Sequence, residues 1–209
     1  MSPRRLILAL CLALPGFAVA EGEQPGRFDY YVMALSWSPN WCAGEGQGSQ
    51  QCGRGLDWVL HGLWPQNERG WPSYCAGPQS PPSRGQTRAM ADIMGTAGSA
   101  FYQWKKHGTC AGLSPADYFE TAREGYDSVT RPEIFRQLPR EMELAASVVE
   151  EAWLEANPDL DADGLTVTCK AGAIQEVRIC LTKDLEPRRC GADVIRDCTL
   201  SDAVMQPVE

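Results

Sequence analysis

Apolar and polar positions alternate in four stretches of the chain and recur at helical spacing in three others, so strands and helices are both expected. Residues 28–37 (FDYYVMALSW) are aromatic and β-branched with rough alternation, and read as a strand that Ser38-Pro39-Asn40 ends. Residues 56–63 (LDWVLHGL) form a second apolar run of strand length, which places His61 near a strand end. Residues 165–169 and 174–181 alternate as strands joined by 170–173. Residues 88–104 carry Ala, Met and Ile at mixed helical spacing, interrupted by Gly95 and Gly98. Ser114-Pro115-Ala116-Asp117 has the make-up of a helix start, with a serine cap, a proline in the first turn and an acid at the capping-box position. That helix should run to about residue 129. Residues 145–156 predict another helix, with Val148, Val149, Ala152 and Trp153 on one face and Asn157-Pro158 as its stop. The stretches 43–55 and 68–83 are Gly- and Pro-rich and read as loops. Strands and helices mix without a βαβ repeat, so the fold class is α+β.

The N-terminus changes where the fold begins. Arg4 and Arg5 precede an apolar run, and Ala18-Val19-Ala20 has the form of a leader cleavage site, so residues 1–20 read as a signal peptide cleaved after Ala20. The run is too short to span a bilayer as a helix. Residues 21–209 are then one exported domain, with no membrane attachment once the leader is gone. The whole chain of 209 residues has a net charge of −8, and losing Arg4 and Arg5 makes it two units more negative. Such a balance argues against nucleic-acid binding through a broadly basic surface, though not against a small basic site. Of nine cysteines, Cys11 leaves with the leader. The remaining even number fits disulfides in an oxidising compartment, with the connectivity open. No CxxC pair exists and the histidines lie outside zinc-ligand spacing, so the thiols are not read as a metal site.

The chain has two histidines, His61 in HGLWPQ and His107 in WKKHGTC. Histidine can both take and give a proton near neutrality, and a pair is the minimal kit for general-base plus general-acid catalysis. Each is followed by a glycine, which lets a turn or a ligand come close beside the ring. Lys105 and Lys106 place cations beside His107. The combination suits a phosphodiester, whose nonbridging oxygens a cation can hold while one imidazole takes a proton and the other gives one. The neighbouring ammonium also favours the neutral imidazole that a base requires.

HGLWPQ and WKKHGTC resemble the two active-site signatures of the ribonuclease T2 family, and FDYYVMALSWSPNWC and CKAGAIQEVRICLTKDLEPRRC resemble its opening strand and closing hairpin. The resemblance implies a central antiparallel sheet flanked by helices. It also implies metal-independent cleavage of single-stranded RNA. No cofactor is expected, the aromatic residues predict low base specificity, and the leader predicts a periplasmic or secreted protein, expected to be a monomer. The substrate's 2′-hydroxyl would attack phosphorus to give a 2′,3′-cyclic phosphate. By analogy His107 is the base, His61 the acid on the leaving oxygen, and Lys106 the cation on the phosphorane. The family pattern further implies the pairs Cys42–Cys52, Cys75–Cys110, Cys169–Cys198 and Cys180–Cys190.

Two positions depart from the family pattern. Many members carry His-Glu where this chain has Tyr102-Gln103. Tyr102 can still donate to a phosphate, whereas Gln103, at a catalytic position, keeps the size of Glu but carries no charge. Trp64, Tyr102, Lys105 and Asn67 are the expected substrate contacts, Trp64 by stacking. Trp37, Trp41, Trp71 and Tyr74 are weaker candidates for stacking. Gln103 and the acidic balance also leave a second reading, a catalytically weakened relative that binds RNA or a protein partner.

Overall fold

The alternation in residues 28–37 becomes the central strand β1 (Tyr30–Trp37), and a computed structural model describes the chain from residue 23 to residue 209. The proposed leader and its cleavage site lie outside the described residues. Tyr31, Met33, Leu35 and Trp37 point into the main core. Tyr30 and Val32 point to the opposite face, where they pack with Cys180, Cys190 and Val194. Strands β2 (Trp58–Gln66) and β5 (Ala173–Leu181) flank β1 on either side, both antiparallel to it. β4 (Leu165–Lys170) pairs with β5 across a turn made by Ala171 and Gly172, both at positive φ. Two three-residue strands, β3 (Met142–Leu144) and β6 (Ala203–Met205), complete the order β2-β1-β5-β6-β3. The sheet is antiparallel except at β5–β6, where Ala173 meets Val204 in a single parallel pair.

Among the described residues five α-helices accompany the sheet: α1 (Ser38–Ala43), α2 (Arg84–Ala89), α3 (Ala97–Lys106), α4 (Pro115–Asp127) and α5 (Ala146–Ala156). α4 starts at Ser114 as expected, with the serine side chain accepting from the Asp117 amide. The single helix expected over 88–104 is instead two, α2 and α3. The Ile93 carbonyl is drawn onto β2, where it accepts from the Leu60 amide, and Gly95 then turns the chain at φ +77° before Thr96 caps α3. The apolar face expected on α5 also needs correction. Val149 and Trp153 are buried, but Val148 is exposed, because the helix contacts the core through a narrower stripe. Trp153 packs edge-on against Trp58, whose ring also meets Trp37 and Phe135.

β2 runs three residues further than the sequence pattern indicated, through Pro65 to Gln66. A proline without an N–H is tolerated there because β2 is an edge strand. Its outer rim is occupied by neighbours from the helical layer. Tyr118 and Tyr126 of α4 donate their hydroxyls to the Leu63 and Trp58 carbonyls at 2.8 and 2.9 Å. These bonds satisfy an edge that would otherwise be open, and they hold β2 against the helices that follow it.

Four disulfides staple this framework: Cys42–Cys52, Cys75–Cys110, Cys169–Cys198 and Cys180–Cys190, with Cα separations of 5.0–5.6 Å. Cys75–Cys110 ties the irregular segment after β2 to the short 3₁₀ turn Gly108–Cys110 that follows α3.

Candidate active site

His61 is not at a strand end but in mid-strand, and its position there explains where it points. The β1–β2 register passes from Ala34–Gly62 to Leu35–Leu60, so His61 is the extra residue of a β-bulge. In a regular strand His61 and Trp64 would lie on opposite faces, since side chains alternate. The bulge reverses that parity and re-aims the histidine. Leu60 and Leu63 stay in the main core, and the His61 and Trp64 rings meet edge to face at 5.3 Å on the other side.

The second histidine caps the C-terminus of α3. The His107 amide donates to the Gln103 carbonyl and the Cys110 amide donates to the His107 carbonyl, both at 2.9 Å. The Tyr74 amide donates to the Lys106 carbonyl one residue before the disulfide at Cys75. The Trp64 indole stacks on the His107 imidazole with ring centroids 5.2 Å apart, and its Nε1 donates to Gln103 Oε1 at 2.8 Å. Trp64 is therefore the wall shared by both histidines. The Trp64 ring also has the Arg178 guanidinium over it, 5.4 Å from the ring centroid.

The glycines after the histidines serve this packing. A Cβ on Gly62 would lie 2.2 Å from Trp64 Nε1 and 2.5 Å from Gln103 Oε1, and one on Gly108 would lie 2.5 Å from the Trp104 ring. In both cases the close neighbour is the protein's own side chain.

The two imidazoles occupy different environments. His107 is 5% exposed and its Nδ1 is buried without a hydrogen-bond partner among the described residues. Burial, reinforced by the positive charges of Lys106 and His61, pushes His107 down to about 3, so it is neutral at physiological pH. The His61 side chain is 44% exposed and its Nδ1 bonds to Glu176 Oε1. An ionised carboxylate only accepts, so Nδ1 carries the proton. Glu176 is 1% exposed. Burial alone would raise its carboxyl, but His61 and Arg178 outweigh that effect and hold it down to about 2. Arg178 donates from Nε and Nη2 to Glu176 Oε2 at 2.9 and 2.8 Å, and Ser36 donates to Oε1 at 3.3 Å.

Glu176 and Arg178 were not among the residues singled out from the sequence. A signal was present: an acid and a base two positions apart inside a largely apolar strand share one face, and must find partners there. They stand on β5 opposite Ser36 and Ala34 of β1. With Gly62 beyond Ala34 on β2, these small residues let side chains from the two outer strands meet across the middle one.

Of the other expected residues, Gln103 is buried beneath Trp64, Lys106 is half-buried beside His107, and Lys105 is exposed on the same helical turn. Tyr102 is exposed, with its hydroxyl 3.4 Å from that of Tyr74. Asn67 lies in a turn just past the end of β2, six residues beyond His61, about 20 Å away at strand rise. Trp37 is core, whereas Trp71 and Tyr74 are exposed. Trp41 lines a groove of about 560 Å³ that His61 and Glu176 also border. Among the described residues no group of three or more His, Cys, Asp or Glu side chains is placed to hold a metal ion, and no helix is long and apolar enough to cross a membrane.

An α+β sheet stapled by disulfides, with two histidines brought together from an edge strand and a helix end, defines a class shared with ribonucleases. The profile of the Ribonuclease T2 family matches residues 28–190, and the chain belongs to that family. It is 44% identical over 124 residues to a ribonuclease of Aeromonas hydrophila, covering 57% of this chain and 55% of that protein. Ribonuclease I of Escherichia coli is 25% identical over 144 residues, 48% of this chain and 54% of its own. The chain spans about half the length of the curated relatives it matches. Among solved structures it is similar to an RNase-related protein from Calystegia sepium, with a TM-score of 0.69 at 20% identity over 87% of this chain and 98% of that one. Ribonuclease MC1 from bitter gourd seeds gives 0.65 at 22% identity over 85% and 100%.

Proposed function

We propose that residues 21–209 form one catalytic domain, a metal-independent endoribonuclease that cleaves single-stranded RNA with low base specificity through a 2′,3′-cyclic phosphate. The observation that carries this reading is the unequal treatment of the two histidines around Trp64: one ring is buried and neutral, the other exposed and paired to a carboxylate. A neutral ring can take a proton, and an exposed ring held by a carboxylate can give one.

Neutral His107 takes the proton from the 2′-hydroxyl. With Nδ1 enclosed, Nε2 is the nitrogen that accepts it. The 2′-oxygen forms its bond to phosphorus as the bond to the 5′-oxygen breaks, and His61 gives that departing oxygen its Nε2 proton. Lys106 offsets the negative charge that builds up on the phosphorane, and Lys105 and the Tyr102 hydroxyl would contact the RNA strand. Gln103 acts through Trp64, holding the indole against His107. Trp64 shapes the phosphate site, and Asn67, past the end of β2, would contact RNA well away from the cleaved bond. Secretion or export to the periplasm as a monomer completes the proposal, supported by the four disulfides.

The uncharged Gln103 also supports the second reading, a weakened relative that binds RNA or a protein. One experiment separates the two: defined oligoribonucleotides digested in EDTA across roughly pH 4 to 8, with the product ends analysed. Cyclic phosphate ends, resistance of a 2′-deoxy substrate and loss of about 100-fold or more in His61→Ala and His107→Ala are expected. Intact RNA across that range would leave the binding reading.

A further inference from the structure

Glu176 is a buried carboxylate whose partners are split between structure and chemistry. Arg178 alone satisfies Oε2 with two hydrogen bonds, yet Oε1 faces Ser36 and His61. An ion pair to an exposed ring adds little stability. What it does fix is the ring: its position over the bulge, and which nitrogen is committed. Among the described residues no other carboxylate pairs with either histidine. Other ionisable groups near His61 are Arg178 on β5, the neutral His107 at the end of α3 with Lys106 beside it, and the Lys170–Glu45 ion pair bordering the adjoining groove. None of these can accept a hydrogen bond from Nδ1 in place of Glu176 without moving.

We propose that Glu176, itself clamped by Arg178 and Ser36, is the positioning residue for His61. It holds the imidazole by Nδ1–H, so that Nε2 is the nitrogen that delivers a proton to the departing 5′-oxygen, and it balances the imidazolium charge before that proton leaves. The inference rests on the proposed role of His61 as the acid, and it makes a β5 residue, remote in sequence from both histidine segments, part of the proton-transfer apparatus.

The test compares two substrates on each variant: a dinucleoside monophosphate, whose leaving oxygen needs a proton, and a ribonucleoside 3′-(4-nitrophenyl phosphate), whose leaving group does not. Glu176→Ala and Glu176→Gln are expected to lower kcat on the first by about 10- to 100-fold, part of the 10²–10⁴ an acid contributes, with KM changed less than about 3-fold. On the second substrate the loss should shrink to within about 3-fold, and His61→Ala should show the same contrast more strongly. Because both substrates are read on one preparation, their ratio does not depend on how much of a variant is folded. Equal losses on both substrates for the Glu176 variants, or none, with the contrast kept in His61→Ala, would overturn the role of Glu176 alone. Equal losses in His61→Ala would overturn both that role and the acid assignment. With two histidines in the chain, ¹⁵N-histidine NMR gives an independent readout. The neutral His61 ring should be the Nδ1–H tautomer and become mixed in Glu176→Ala; an Nε2–H tautomer in the unaltered protein counts against the proposal.

Discussion

Gly62 lies where the side chains of Trp64 and Gln103 converge, and nothing larger fits there. Its missing Cβ lets Trp64 reach Gln103 and lets the indole stand between the histidines. Gly62→Ala should therefore displace Trp64 from His107 and lower kcat by about 10-fold or more, with an overpacking penalty of about 1–3 kcal/mol in urea denaturation. Unchanged activity at unchanged stability would mean that Trp64 placement is immaterial. The glycine was legible beside each histidine as a mark of close approach, but not what approaches. Ring packing depends on Gln103, some forty residues away in sequence. Glu176 and Arg178 escaped for a related reason: a charged pair in a strand signals a need for partners without naming them.

Elements carry the next level of control. The bulge in β2, the C-terminus of α3 and the Cys75–Cys110 bond together decide that the histidine segments meet. Replacing both Cys75 and Cys110 by Ala releases a loop closed over 35 residues, so a stability loss of about 4 kcal/mol is expected, read by denaturant unfolding. Activity should fall at the same time, because the bond anchors the 3₁₀ turn directly after His107. Retained stability would assign the tethering to the Tyr74–Lys106 backbone bond instead. Long periodic elements were readable: β1, β4, β5, α4 and α5 lie within a few residues of their sequence patterns. The bulge was not, because it is a property of pairing with β1. The break between α2 and α3 was hinted at by Gly95 but set by the contact of Ile93 with β2. β3 and β6, at three residues each, are too short to show a period.

At the scale of the whole molecule, the site ties stability to pH. His107 is neutral when folded down to about pH 3 but protonates near 6.5 when unfolded, so between those values only the unfolded chain binds the proton. Acid therefore favours unfolding across that window, and stability rises with pH through it. Glu176 acts in the same direction between 4.5 and about 2, since its ionised form is favoured by folding and is lost as pH falls. Of these two groups, only the histidine contributes between pH 4.5 and 6.5. His107→Gln should flatten the rise of unfolding free energy there, measured by urea denaturation at several pH values; an unchanged slope would mean the imidazole is protonated in the fold. The sequence by itself determined the fold class, the two histidine segments and the cation beside one of them, because alternation, motif spacing and charge are local. Tertiary structure alone decided which imidazole is buried, which is paired, and by what. Burial and hydrogen bonding are set by strands that meet only after the sheet has formed, and these contacts make two similar histidines chemically unequal.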